Sequence, residues 1–299
     1  MIFTSIDAWI LGISIFAAIA AALPGGILVL RKNALMSDAI SHAILPGLAI
    51  AFIITNSRNS IIMFIGAVIV AVLLVLLLEY LQKTLRTEAN ALLGILFSIF
   101  FSIGLLLMVQ GADNVDLDPS CVLFGALELT PLISISIFGL SIPPAFIQLF
   151  VLSIIHLVVF VFFKKEISLF IFDPLYARMQ GIPVRTIRYL LIIDIAITNV
   201  ALFEIAGSII TIALFVIPAA TAQLFSKNIT VFFLVTTAFG VTAMISGFLI
   251  SIALPALASL PNTSIAGGAA TTGFIILLFS MMIKSKTNFR KPTKSNLPA

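Results

Sequence analysis

The sequence predicts an all-α, polytopic membrane protein, and three observations lead there. Of its 299 residues, 61% are hydrophobic and only 9% charged, where a soluble domain carries about 25% charged residues. Mean hydropathy is +1.26. The apolar residues, 26 phenylalanines among them, gather in unbroken runs of about 20, the length that crosses roughly 30 Å of hydrocarbon. A transmembrane β-barrel would show short alternating segments instead, and no soluble core of this size hides so much apolar surface.

Taken in order, the runs fall at 10–30, 34–55, 60–80, 89–110, 146–163, 187–205, 207–225, 230–253 and 266–283. This gives nine spans. The joint at 205–207 is tight enough that eight spans plus a re-entrant segment is the alternative. The first run begins near Ile10 with no basic stretch before it, so it reads as a retained span and not a cleaved signal. The single Cys121 excludes an internal disulfide framework.

Basic residues set the direction of threading. With the N-terminus outside, nine spans place Arg31, Lys32, Lys83, Arg86, Lys164, Lys165, Arg178, Arg185, Arg188, Lys227 and the basic tail on the cytoplasmic side. Only Arg58, of 16 Lys and Arg, then falls outside. The loop bearing Asp113, Asp116 and Asp118 faces the exterior. Residues 111–145, with Pro119, Pro131, Pro143 and Pro144, form a long connection expected to lie partly at the outer interface. Residues 1–283 read as one transmembrane domain and 284–299 as a basic cytoplasmic tail, an inner-leaflet anchor or a disordered end.

Two polar features interrupt the apolar pattern. The first is Leu35-Met-Ser-Asp-Ala-Ile-Ser-His-Ala-Ile-Leu-Pro-Gly47. Asp38 and His42 are four apart, so on a helix they share a face about 6 Å apart along the axis. Ionisable groups inside an apolar span are costly and need polar partners. One oxygen and one nitrogen ligand suit a first-row divalent metal, which points to a metal path through the membrane. The plainer reading of Asp38 is a helix N-terminal carboxylate facing the dipole; its pairing with His42, beside the helix defect at Pro46, favours function. Ser37 and Ser41 are placed to orient the pair, and Gly47 lets another backbone come close. The second feature is Phe172 to Arg185. Asp173 with Pro174 starts a helix, and Gly181 with Pro183 stops it. About two turns fit between, showing Leu175, Tyr176 and Met179. Such a helix either lies on lipid or docks a cytoplasmic partner.

The remaining intramembrane polar groups rank second. His156, in the fifth span, has no acid at helical spacing, and a cross-helix hydrogen bond explains it better than a metal does. Asp194 and Thr198 share a face of the sixth span that points to protein or water. Glu204, near the outer end, either attracts cations or pairs structurally. Gly207, Pro218 to Ala222 and Ala266 to Gly273 are best read as packing segments. No Gly-x-x-x-x-Gly-Lys-Ser/Thr loop occurs, so ATP is not held in the usual way, and no His-Glu-x-x-His occurs. The net charge of +4 is accounted for by inner loops and tail, which leaves no case for nucleic acid.

Arg31 to Gly47 resembles the segment that opens the second span of the zinc, manganese and iron ABC importer permeases. Glu88 to Ser98, Leu123-Phe-Gly125, Phe172 to Pro183 and Gly207 to Ala222 match that family in the same order. The resemblance implies a fold similar to the cobalamin and siderophore importer permeases. It also implies an ATP-binding subunit, an extracytoplasmic metal-binding protein and a second permease, identical or a sister chain, in the bacterial cytoplasmic (inner) membrane. The chain itself would not be an enzyme and would hold no permanent cofactor. The family's transport residues map onto Asp38 and His42, and its coupling segment onto 172–185, with Asp173, Pro174, Ala177, Gly181 and Pro183. By these boundaries Asp38 sits only about a turn inside the membrane; either the span starts earlier or its inner end is a solvated vestibule. An ion-coupled secondary transporter would also explain the acids but would need no docking helix. A receptor or scaffold would not require Asp38 and His42 within a span. Mn, Zn and Fe all fit the ligand types.

Overall fold

Lipid offers no partner for a main-chain N–H or C=O, so each apolar run closes its own hydrogen bonds as a helix. The structure, a computed structural model, describes residues 5–55, 60–111, 127–137, 140–253, 255 and 263–289. The helices are α1 (Ser5–Leu30), α2 (Leu35–Thr55), α3 (Ser60–Leu85), α4 (Ala89–Gly111), α5 (Pro144–Phe172), α6 (Pro174–Met179), α7 (Val184–Phe225), α8 (Ile229–Phe248) and α9 (Ile265–Phe289). A π turn, Leu249–Ala253, prolongs α8. Arg58, Asp113, Asp116, Asp118, Pro119, Cys121, Leu123 to Gly125 and the tail beyond Phe289 lie outside the described residues.

Eight of these helices are long and apolar enough to cross a membrane, and α7 accounts for the ninth predicted span. Its 42 residues would make a straight rod of about 63 Å, twice the hydrocarbon thickness. At Gly207 the backbone leaves helical geometry, with φ 78° and ψ 177°, a region that a Cβ disfavours. Val184 and Leu191 share one apolar cluster with Ala219 and Ala222, so the helix doubles back there into arms 184–206 and 208–225. Each arm is long enough to span.

Some of the basic residues expected on one side of the membrane make contacts at one end of the bundle. The Arg31 guanidinium lies 4.3 Å from the centre of the Phe170 ring, and Arg188 pairs with Glu79 at 3.7 Å. These contacts gather the ends of α1, α3 and α5 and the start of α7 at one end of the bundle. Burial there, and then the neighbouring Arg188, hold the Arg31 guanidinium below its usual pKa, against the opposing pull of Glu79; it stays charged nonetheless.

Helix boundaries run past the hydropathy limits. α3 continues to Leu85 and α9 to Phe289, because backbone hydrogen bonding persists where the side chains turn polar. The predicted end of the fifth span, residue 163, is a kink instead: Phe163 has φ −108° and ψ 19°, and α5 resumes to Phe172. The 111–145 connection holds a short 3-10 turn at Thr130–Leu132 and a two-stranded hairpin, β1 (Ile135–Ile137) with β2 (Leu140–Ile142). Exposed Leu129, Leu132, Ile133 and Ile135 give this segment an apolar surface. Glu128 accepts a hydrogen bond from the Ile265 N–H and so caps α9.

α1 and α7 form the buried centre, while α3, α4 and α5 line the outside. Small residues set the closest approaches. A Cβ on Gly47 would stand 2.5 Å from the Gly66 carbonyl oxygen, so α2 meets α3 backbone to backbone, as expected of Gly47. α2 stays helical through Pro46, and Gly104 of α4 accommodates the proline ring, 2.7 Å from where its own Cβ would sit.

Candidate metal-transfer site

The first turns of α2 carry Asp38 and His42. Helical spacing brings His42 Nε2 within 3.4 Å of Asp38 Oδ1. The two groups are unequal: the Asp38 side chain is 45% exposed and that of His42 22%. Asp38 sits in the first helical turn, where free N–H groups favour a carboxylate. The His42 ring meets Phe97 and Phe101 of α4 edge-on, with centroids 4.9 and 5.4 Å away. These contacts fix the imidazole plane without consuming its nitrogens, and Nδ1 is buried with no hydrogen-bond partner.

Behind this pair α2 is fastened to the first arm of α7. The Asn199 side-chain N–H2 donates to the Ser37 carbonyl at 3.1 Å and to the Ser37 hydroxyl at 2.8 Å. Ser41 Oγ–H donates to Asn199 Oδ1 at 3.0 Å, sharing its hydrogen with the Ser37 carbonyl. All three residues are fully buried. The serines therefore face α7 while Asp38 and His42, one residue further on, turn away from it. Asn199 lies about 22 Å along α7 from Val184, so the first turn of α2 abuts the upper half of that arm, not its base.

His156 and Asp194 are brought together with each other and not with Asp38 or His42. His156 Nε2 lies 2.9 Å from Asp194 Oδ1, and the Thr198 hydroxyl approaches the same nitrogen at 3.3 Å. This is the cross-helix partner expected for a lone intramembrane histidine. Glu204 accepts a hydrogen bond from Ser60 of α3, near the reversal at Gly207. Among the described residues no cluster of three or more His, Cys, Asp or Glu forms. One chain thus offers two ligands from Asp38 and His42, and a complete coordination sphere needs water, backbone or a second chain.

The short helix α6 is built as its turn signals require. Asp173 caps it, its carboxylate accepting from the Tyr176 N–H at 2.9 Å, and Pro174 occupies the first position. At the other end Ile182 N–H reaches the Ala177 carbonyl and Gly181 N–H the Arg178 carbonyl, each at 3.0 Å. This is the Schellman arrangement, with Gly181 left-handed at φ +77°. Ala177 is fully buried against Ile27, Phe170 and Val184, while Leu175 and Met179 are 72% and 84% exposed. Pro183 immediately precedes α7. The result is a rigidly seated stub with an apolar outer face.

Sequence reasoning singled out the Asp38–His42 pair because its two members are local. It missed the Asn199 clamp and the Phe97–Phe101 support. A fully buried asparagine within an apolar span signals that some partner exists, but nothing in the pattern says which.

A bundle of eight helices long and apolar enough to cross a membrane defines a multi-pass membrane protein. The chain belongs to the ABC 3 transport family, whose model matches residues 5–284, and the resemblance carried by Arg31 to Gly47 is borne out. It is 32% identical over 271 residues to the manganese transport system membrane protein MntD of Bacillus subtilis, covering 90% of this chain and 89% of that one. It is 32% identical to the zinc transport system membrane protein TroD of Treponema pallidum, covering 92% and 73%. Among solved structures, PsaBC from Streptococcus pneumoniae in complex with Fab matches with a TM-score of 0.77 at 25% identity, over 96% of this chain and 95% of that one. A putative metal-chelate type ABC transporter in an inward-facing conformation shares the fold, with a TM-score of 0.65 at 16% identity.

Proposed function

We propose that this chain is the transmembrane subunit of an importer that carries a divalent transition metal into the bacterial cytoplasm, with ATP hydrolysed on a separate subunit. The observation that carries this reading is the Asp38–His42 pair: an accessible carboxylate and a ring-locked imidazole at the start of a membrane helix. Relatives named for manganese and zinc transport support it. Asp38 and His42 act as transient ligands. Two copies, or one copy and a sister permease with equivalent groups, supply a four-ligand site, or a six-ligand one with water. Weak, multi-ligand binding lets the ion leave. An extracytoplasmic metal-binding protein delivers the ion.

The ATP-binding subunit docks on α6. The exposed Leu175 and Met179 on a stub whose opposite face is fixed to α1, α5 and α7 favour docking over a helix lying free on lipid, and they favour this reading over an ion-coupled carrier. Asp194 and His156 hold α5 to α7, and Glu204 draws cations toward the outer end. Uptake of Mn, Zn and Fe isotopes in a strain lacking its own importers, with and without this chain and its ATP-binding subunit, tests the reading and ranks the metals. Accumulation that does not depend on the ATP-binding subunit would contradict it.

A further inference from the structure

We propose that Asn199 is the positioning residue of the metal pair, and that the first arm of α7 is the strut through which movement at α6 reaches Asp38 and His42. This rests on the reading of Asp38 and His42 as ion ligands and of α6 as the docking helix.

The clamp is specific in rotation as well as distance. Asn199 uses both ends of its amide: two donations go to Ser37, and one acceptance comes from Ser41. Ser37 and Ser41 are each one residue before a ligand, about 100° around the helix from it. Turning α2 by one residue, which would swing Asp38 and His42 onto another face, therefore breaks all three bonds. Each would leave a buried polar group unsatisfied, since Ser37, Ser41 and Asn199 are fully buried. The orientation of the ligand pair is thus fixed from behind, by a residue that is not itself a ligand.

The clamp is also continuous with α6. Ala177 of α6 packs in one apolar cluster with Val184 and Leu191 of α7, and only the Gln180 to Pro183 turn separates the two helices. From Val184 to Ala206 the arm is unbroken helix, the departure coming at Gly207. A push on α6 is therefore delivered along a stiff element to Asn199. The adjacent residue, Thr198, meets His156, which pairs with Asp194 of the same arm. Two consecutive residues of one arm thus engage α2 on one side and α5 on the other.

The experiment measures Mn²⁺ transported per ATP hydrolysed by the assembled complex in proteoliposomes. Asn199→Ala should lower that ratio about tenfold and Ser41→Ala, which removes one of the three bonds, roughly threefold. The double variant should be no worse than Asn199→Ala alone, because both substitutions remove the same link. A merely structural asparagine would lower the yield of complex and leave the ratio of surviving molecules at the wild-type value. A wild-type ratio in Asn199→Ala would overturn the proposal; if that variant does not assemble, a wild-type ratio in the milder Ser41→Ala overturns it instead. Additive losses in the double variant also count against it. Asp38→Ala separates the two levels of the account. If Asp38→Ala loses transport while the clamp variants keep their ratio, only the strut is wrong; if Asp38→Ala transports normally, the metal reading itself fails.

Discussion

Two carboxylate–imidazole pairs lie within the helices of this bundle, and they differ in almost every respect but composition. Asp38 and His42 share one helix, stand 3.4 Å apart and leave the carboxylate nearly half exposed. Asp194 and His156 come from different helices, stand 2.9 Å apart with a threonine hydroxyl beside them, and the imidazole is almost wholly buried. The first pair is braced from outside, by two phenylalanine edges and by the serines behind it, and its carboxylate stays open to solvent, as the proposed ion ligand requires. The second pair engages His156 Nε2 with Asp194 and Thr198 and joins α5 to α7, although Nδ1 is buried without a partner in both imidazoles. On the proposed reading, the first pair is a transport site oriented by its surroundings and the second a structural lock oriented by its own contact.

Substitutions at the first pair should cost uptake most. Asp38→Ala and His42→Ala should each abolish most metal uptake while membrane insertion and assembly with the ATP-binding subunit persist, as read by isotope uptake normalised to complex recovered. Wild-type uptake by a well-expressed His42→Ala would erase the distinction. At the second pair the order reverses. Asp194→Ala should destabilise the folded chain by about 2–3 kcal/mol, since it leaves the buried His156 without its carboxylate, and His156→Ala somewhat less, since Asp194 is a quarter exposed. Thermal unfolding in detergent checks this, and unaltered melting with lost uptake would mean that the second pair belongs to the path after all.

On the proposal that α6 docks the ATP-binding subunit, Gly181→Trp should uncouple ATP hydrolysis from uptake or prevent assembly, because no atom of the chain stands within 4 Å of the position its Cβ would take and the ring adds bulk beside α6. Gly181→Ala, which carries the same backbone strain of about 1–2 kcal/mol without the bulk, should assemble and transport. Equal behaviour of the two variants would assign the effect to strain and not to docking. The smallest effect is expected of Thr198→Val, which removes one 3.3 Å contact to His156 and should cost about 1 kcal/mol of stability with no loss of uptake.

How far the sequence was legible follows from the range of each interaction. The spans were readable because hydropathy is a local property, and the caps of α6 because Asp173, Pro174 and Gly181 act on neighbours a few residues away. The doubling back of α7 showed only as a tight joint, since its cause is the single backbone conformation at Gly207. Asp38 and His42 were readable at helical spacing. The partner of His156 lies 38 residues away, and those of Asn199 lie 158 and 162 away; no periodicity reports such distances. The shallow depth inferred for Asp38 came from counting along α2 alone. The tie from Ser37 to Asn199 sets the start of α2 beside residues well along the first arm of α7, a contact that counting along one helix does not show.

The ligands of a bound ion can be read spectroscopically. Mn²⁺ bound to the purified, nucleotide-free complex should show nitrogen coupling in pulsed electron paramagnetic resonance, and that coupling should vanish in His42→Ala and persist in His156→Ala. Nitrogen coupling that survives His42→Ala, or that disappears only in His156→Ala, would contradict the account.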